Sequence, residues 1–172
     1  ELIREHLDEL ALLESLDVGK PIRDALRVDV PSAATTFQWY AETIDKVYGE
    51  VGPTGPDQLS LITREPIGVV AAIVPWNYPL IVTAWKLGAA LATGNSVVLK
   101  PASQSPLTAL RLGELAIEAG LPDGVLNVIA GPGPVIGDAL ARHPQVDKIA
   151  FTGSTEVGKS LLRAVGETDV KA

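Results

Sequence analysis

Apolar residues in this chain recur first at helical spacing and later in short unbroken runs. Ile3, Leu7, Leu10 and Leu13 fall on one face of a helix. Residues 17–24 read as a loop carrying Gly19 and Pro21. Pro31 then opens a second helix, in which Phe37, Tyr40, Ala41, Ile44, Val47 and Tyr48 form an amphipathic stripe expected to pack in the core. Residues 49–57 are rich in Gly and Pro and mark the best candidate boundary. Residues 59–64 alternate as a half-buried strand would.

After Pro66 the period changes. Residues 69–74 are uninterrupted apolar, as expected of a strand covered on both faces. A helix follows over 80–92, stopped by Gly94, and 96–100 is a second short buried strand. Ser105 and Pro106 read as N-cap and first-turn residue of a helix whose apolar positions are Leu112, Leu115, Ala116 and Ala119, ended by Gly120. Residues 125–129 form the third strand, 134–142 a short helix, 148–151 the fourth strand and 155–165 the last helix. The order from residue 69 is therefore βαβαβαβα. Such alternation with short connections predicts an α/β fold with a Rossmann-like, doubly wound parallel sheet preceded by two helices. Ligands in such sheets bind beyond the carboxyl ends of the strands. The residues that follow 74, 100, 129 and 151 are thus the ones to inspect.

Composition narrows the function classes. The 172 residues are 47% hydrophobic and carry a net charge of −7. An acidic chain has no basic surplus to displace counterions from a phosphate backbone, which argues against a nucleic-acid partner. With no cysteine there is no disulfide framework, thiolate metal site or cysteine nucleophile in the chain. Only His6 and His143 supply imidazole, and both read as isolated surface residues, so no metal site is expected. The longest apolar run, 67–74, is too short to cross a bilayer, and no signal peptide is visible, so no membrane partner and a cytoplasmic location are expected. Residues 169–172 break off without a domain-ending signal, and the chain lacks methionine, including an initiator. A fragment is the expectation.

Four strand ends carry candidate chemistry. The first leads into Pro75-Trp76-Asn77-Tyr78-Pro79, where two prolines stiffen the turn and leave an amide side chain at the strand tip. Asn77 is either an oxyanion donor or a turn-stabilising amide. The second ends in Lys100-Pro101-Ala102-Ser103; Lys100 suits a ribose hydroxyl or a phosphate, or is a solvated edge lysine. The third leads into Gly131-Pro132-Gly133-Pro134-Val135-Ile136-Gly137, a loose version of the dinucleotide glycine fingerprint. The fourth leads into Thr152-Gly153-Ser154-Thr155-Glu156-Val157-Gly158-Lys159-Ser160. Residues 153–160 also satisfy the phosphate-loop pattern of nucleotide triphosphatases. That reading is disfavoured, because Thr155 onward reads as helix and Glu156 in its first turn would repel a phosphate. The helix start remains a good pyrophosphate site. A short-chain dehydrogenase is also disfavoured, since no tyrosine is followed four residues later by lysine.

Taken together, these segments resemble the aldehyde dehydrogenase superfamily in letters, order and separation. The stretches Glu14-Ser15-Leu16-Asp17-Val18-Gly19-Lys20-Pro21 and Trp39-Tyr40-Ala41-Glu42 extend the resemblance over essentially the whole chain. Within the family, the chain is most similar to bacterial enzymes that oxidise gamma-glutamyl-gamma-aminobutyraldehyde. The resemblance implies a cofactor-binding segment for NAD or NADP. Asn77 matches the side-chain oxyanion donor, and Val74, Pro75 and Trp76 the wall beside the cofactor. Lys100 matches the lysine that bonds the adenosine ribose, and Gly133 and Gly137 match positions lining the adenine pocket. Gly153, Ser154 and Val157 match the turn and helix that receive the pyrophosphate, and Phe151 and Thr152 just before them are expected to bind the cofactor too. Ser103 stands where many NAD-preferring members carry glutamate, which implies that NADP is tolerated.

The resemblance divides the chain into a helical part (1–50), a linker and strand of an oligomerisation extension (51–66), and NAD(P)-binding βα repeats (67–172). It implies an aldehyde substrate and a homo-oligomer for the intact enzyme. The family's general-base glutamate and nucleophilic cysteine lie beyond these residues, so the chain alone is expected to be catalytically incompetent. It is also expected to leave a sheet edge open and to be marginally soluble. A non-catalytic dinucleotide-binding module is the alternative.

Overall fold

The computed structural model describes residues 1–168; the expected fragment end at 169–172 lies outside them. Helices α1 (Leu2–Glu5) and α2 (Leu7–Val18) open the chain, and Gly19 ends α2 in the left-handed conformation at φ 75°. The following loop is only residues 19–21. Helix α3 (Ile22–Asp24) runs through a wide π-helical turn (Ala25–Asp29) into α4 (Val30–Thr43). The second helix therefore begins nine positions before Pro31 rather than at it. Proline lacks an N–H and crowds the carbonyl four residues back, so a helix that continues through it must widen just upstream.

A two-stranded antiparallel ribbon follows, β1 (Glu50–Gly52) against β2 (Ser60–Ile62). Three of the nine residues of the expected linker, 50–52, are thus strand. The expected half-buried strand is exposed throughout: Leu59, Leu61 and Ile62 are all solvent-facing. The alternation at 59–64 reports a ribbon, not a covered face.

The main domain is a four-stranded parallel sheet. Its strands are β3 (Val69–Ile73), β4 (Ser96–Lys100), β5 (Leu126–Val128) and β6 (Lys148–Phe151), in the order β5-β4-β3-β6. Helices α5 (Pro79–Ala92), α6 (Leu107–Glu118), α7 (Gly133–Arg142) and α8 (Thr155–Gly166) connect or follow them. The elements expected from 69 onward are present within a residue or two.

Strand β3 shows why the sheet is buried twice. Val70, Ala72 and Val74 join one core with Leu80, Leu87, Val97, Leu99, Leu112 and the first helices. Ala71 and Ile73 join the other with Leu140, Ala141, Val146, Leu161 and Ala164 from the α7–α8 layer. Successive side chains alternate between faces, and both faces are apolar.

The first core is closed by α4 against α5. There Gly88 meets Tyr40 so closely that a Cβ would fall 2.4 Å from the ring's Cδ2. Phe37 packs on this core, and Tyr40 is half-buried. The rest of the predicted stripe does not pack: Ile44, Val47 and Tyr48 are exposed, because the helix ends at Thr43 and the chain turns away through a 3-10 turn.

Two polar arrangements differ from expectation. Ser105 is buried but does not cap α6; its hydroxyl donates to the Trp76 carbonyl at 3.2 Å. The cap comes from another helix: the Leu107 N–H donates to Asp17 Oδ2 at 2.7 Å. His6 is half-buried at the break between α1 and α2, its Nδ1 3.0 Å from the Leu2 carbonyl. Beneath α4 lies a buried ion cluster. Lys20 Nζ donates to Glu14 Oε1 at 3.1 Å and to Asp29 Oδ1 at 2.9 Å, and both carboxylates are almost wholly enclosed.

Replacing Gly88 with alanine tests the α4–α5 contact. Alanine improves helix propensity by about 1 kcal/mol, but forcing a methyl into a packed core costs about 1–3 kcal/mol. A net loss in chemical denaturation is expected, and Gly88→Ala combined with Tyr40→Leu should recover it.

Candidate active-site cleft

Strand order creates the site. From β3 the chain winds outward through β4 to β5, then returns to place β6 on the other side of β3. The turns after β3 and β6 therefore diverge, opening a crevice at the switch point. Register keeps the strand tips level: Ile73 pairs with both Lys100 and Phe151, and Leu99 with Val128.

A cleft of about 740 Å³ lies over these tips. It is lined by Val74, Pro75, Trp76 and Asn77 after β3, and by Lys100, Ala102, Ser103 and Gln104 after β4. Gly133 and Pro134 come from the start of α7; Phe151, Thr152, Gly153, Ser154 and Val157 come from β6 and α8. Every predicted site residue but Gly137 is here. Gly137 lines an adjoining cavity of about 580 Å³ that also includes Lys100, Gly133 and Val157. The chain thus gathers four sequence-distant turns into one continuous depression.

Each turn is held in its own way. The 75–78 turn is rigid at both ends, with Pro79 at the start of α5 and the Val82 N–H donating to the Tyr78 carbonyl. Asn77 is exposed at its tip. Lys100 is only 3% exposed, and its Nζ donates to the Pro101 carbonyl at 2.7 Å. Burial lowers its pKa, since an ammonium loses hydration there. Opposite it stands Gly133, where a Cβ would sit in ordinary contact with Nζ at 3.9 Å.

Ser103 donates its hydroxyl proton to the Gly131 carbonyl at 2.7 Å. It therefore ties the β4 turn to the β5 turn and offers the cleft only its oxygen lone pairs.

The β6 turn is the tightest. A Cβ on Gly153 would lie 2.5 Å from Phe151 Cζ, so only glycine lets the backbone cross the ring. Ser154 then caps α8, its Oγ accepting from the Val157 N–H at 3.3 Å. A capped helix start at the lip of a cleft presents N–H groups and a partial positive charge to an anion. Helix begins at Thr155, so Gly158, Lys159 and Ser160 sit inside it. The phosphate-loop pattern therefore has no wrapping loop.

Several neighbours escaped sequence reading. Ala102, Gln104 and Pro134 line the cleft. The Lys20 cluster also lies close, with Nζ 4.7 Å from the centre of the Tyr78 ring. One signal for it existed: Glu14 continues the apolar spacing of Leu7 and Leu10, a position where a carboxylate needs a buried partner. Among the described residues no group of three or more His, Cys, Asp or Glu is placed to hold a metal, and no helix is long and apolar enough to cross a membrane.

Comparison with known proteins decides the family. The model of the aldehyde dehydrogenase family matches residues 1–172. This chain belongs to the aldehyde dehydrogenase family. It is 61% identical over 171 residues to the NADP/NAD-dependent aldehyde dehydrogenase PuuC of Escherichia coli K12, covering 99% of this chain and 34% of that protein. Among solved structures it is similar to an indole-3-acetaldehyde dehydrogenase complexed with NAD+ (59% identity, TM-score 0.97, 99% of this chain and 34% of that one). It is also similar to a gamma-glutamyl-gamma-aminobutyraldehyde dehydrogenase from Burkholderia cenocepacia J2315 (59% identity, TM-score 0.95, 97% and 34%). The chain spans about a third of the length of these aldehyde dehydrogenases.

Ser154→Ala tests the helix cap in this aldehyde dehydrogenase cleft. A loss of about 1 kcal/mol in denaturant unfolding is expected, whereas Ser160→Ala, exposed in the same helix, should leave stability unchanged.

Proposed function

We propose that this chain forms the NAD(P)-binding portion of an aldehyde dehydrogenase that oxidises an aldehyde to a carboxylic acid, and that it is inactive without the rest of the enzyme. The observation that carries this reading is the convergence of four turns on one cleft at the switch point. That cleft joins a buried ammonium, side-chain-free glycines and a helix N-terminus. These features fit a dinucleotide. Lys100 would bond the adenosine ribose, and Gly133 and Gly137 would leave room for the adenine. Phe151, Thr152, Gly153, Ser154 and Val157 would receive the pyrophosphate at the start of α8. Val74, Pro75 and Trp76 would wall the nicotinamide side. When bound, the dinucleotide supplies the acceptor for the aldehyde's hydride.

The other chemistry assigned to this chain is at Asn77. Its amide N–H would donate to the oxygen that becomes anionic when a cysteine outside these 172 residues adds to the aldehyde as a thiohemiacetal. No cysteine lies within the chain, so this donor acts only in the complete enzyme. We assign residues 1–50 to the helical part of the cofactor domain, 51–66 to the linker and strand of an oligomerisation extension, and 67–172 to the cofactor-binding repeats. The exposed ribbon β1–β2, with Val51, Leu59 and Leu61 bare, is consistent with an element used for homo-oligomer contacts. A cytoplasmic location follows the same reading.

Calorimetric titration with NAD, NADP and Mg·ATP tests the site. Binding of either dinucleotide without ATP is expected; tight ATP binding alone would reject the reading. Because burial lowers the Lys100 pKa, its ammonium is lost at a pH below the ordinary 10.5. Dinucleotide affinity should therefore decline as pH rises toward 10.5, and Lys100→Met should remove that decline.

NADP tolerance is assigned to Ser103. A carboxylate there would face a 2′-phosphate as a like charge, so Ser103→Glu should weaken NADP relative to NAD by about tenfold or more. An unchanged NADP/NAD ratio would place the discrimination elsewhere.

A further inference from the structure

The turn that carries Asn77 has two anchors that sequence reading did not assign. On one side, the buried Ser105 hydroxyl donates to the Trp76 carbonyl at 3.2 Å. On the other, the Tyr78 ring lies over Lys20 Nζ at 4.7 Å. Asn77 is the single residue between them. Its neighbours are held, and its own side chain is exposed at the tip.

Lys20 is unusually well placed to act as such an anchor. An ammonium has three N–H directions. Two are spent on Glu14 Oε1 and Asp29 Oδ1, both on almost fully buried side chains. The remaining direction faces the aromatic ring, and a cation within about 6 Å of a ring centroid is attracted to its face. The two carboxylates come from different helical segments, α2 and the π-helical turn. The ammonium is therefore fixed by the first helices before it meets the turn. Burial raises the Glu14 carboxyl above its ordinary pKa, and against its own burial Lys20 is held protonated by its hydrogen bonds and ion pairs to Asp29 and Glu14. Two hydrogen bonds to enclosed carboxylates keep the ammonium in place rather than letting it swing to solvent.

We propose that Lys20, locked between Glu14 and Asp29, is a positioning residue for the oxyanion donor: by gripping the Tyr78 ring it fixes the orientation of Asn77 over the cleft. This rests on the reading of Asn77 given above. Lys20 reaches the reacting atoms only through Tyr78 and Asn77. Its removal should therefore loosen one turn and lower turnover, leaving dinucleotide binding intact.

Three variants of the full-length enzyme, Lys20→Met, Tyr78→Leu and Tyr78→Phe, decide the matter. Hydrogen–deuterium exchange is followed by mass spectrometry in the peptide spanning 75–82, alongside steady-state kinetics. Lys20→Met and Tyr78→Leu are expected to speed exchange in that peptide about tenfold. They should lower kcat ten- to a hundredfold, as slight misplacement of a reacting group does, with KM for the dinucleotide unchanged. Tyr78→Phe keeps the ring and should match the parent in both. If Lys20→Met fails to fold because it strands two buried carboxylates, the Leu–Phe contrast at Tyr78 carries the test alone. Equal behaviour of Tyr78→Leu and Tyr78→Phe, or a KM rise without a fall in kcat, overturns the proposal. A parent enzyme that oxidises no aldehyde refutes the functional reading instead, and the exchange contrast still decides whether Lys20 holds the turn.

Discussion

The pairing of β3 with two parallel neighbours is the constraint on which everything else here depends. Ile73 is in register with Lys100 on one side and with Phe151 on the other. That alignment brings the strand tips level, and level tips are what let four separate turns share one cleft. The ladder continues past the strand ends: the Val74 N–H donates to the Lys100 carbonyl and the Thr152 N–H to the Ile73 carbonyl. A slip of one residue would turn every side chain of β3 to the opposite face. Because Val70 and Ala72 serve one core while Ala71 and Ile73 serve the other, such a slip would disturb both layers at once.

The opposite end of the sheet is clamped with polar groups. The Val69 N–H donates to Asp147 Oδ2 at 2.8 Å, and the Gly68 N–H donates to Asn95 Oδ1 at 3.0 Å. Gly68 adopts φ 122°, and a Cβ there would strike Asp147. The sheet is thus fixed at its amino ends by side chains, so the carboxyl ends can carry open turns without losing register. Rigid strands below and exposed turns above is the usual division between scaffold and site.

Much of this was legible in the sequence because doubly buried strands and glycine- or proline-marked turns leave strong local signatures. Residues 69–74 and 96–100 admit little but a covered strand, and Pro75 and Pro79 bracket a turn by their chemistry. What was not legible depends on partners far along the chain. Ser105 looks like a cap until its hydroxyl is seen to reach Trp76, and Asp17 takes the capping role from another helix. The stripe from Phe37 to Tyr48 has helical spacing throughout, but spacing cannot say where the helix turns away from the core. Pro31 marks a helix start by local rules, and only a π-helical turn upstream lets the helix run through it. The Lys20 cluster needs Glu14, Asp29 and Tyr78 to converge, which no local pattern announces.

The separation of β3 from β6 bears on how the molecule is made. Val69 and Asp147, which clamp together, are 78 positions apart. On a ribosome β3 emerges with β4 available soon after it, but its second neighbour arrives only when nearly the whole of this segment has been synthesised. Until then β3 presents an apolar strand with unpaired amides along one side. Distant parallel pairings of this kind form late and slowly, and half-built intermediates with open strand edges are those most prone to associate wrongly. The same connection that opens the crevice at the switch point therefore leaves the β6 side of β3 open for most of the segment's synthesis.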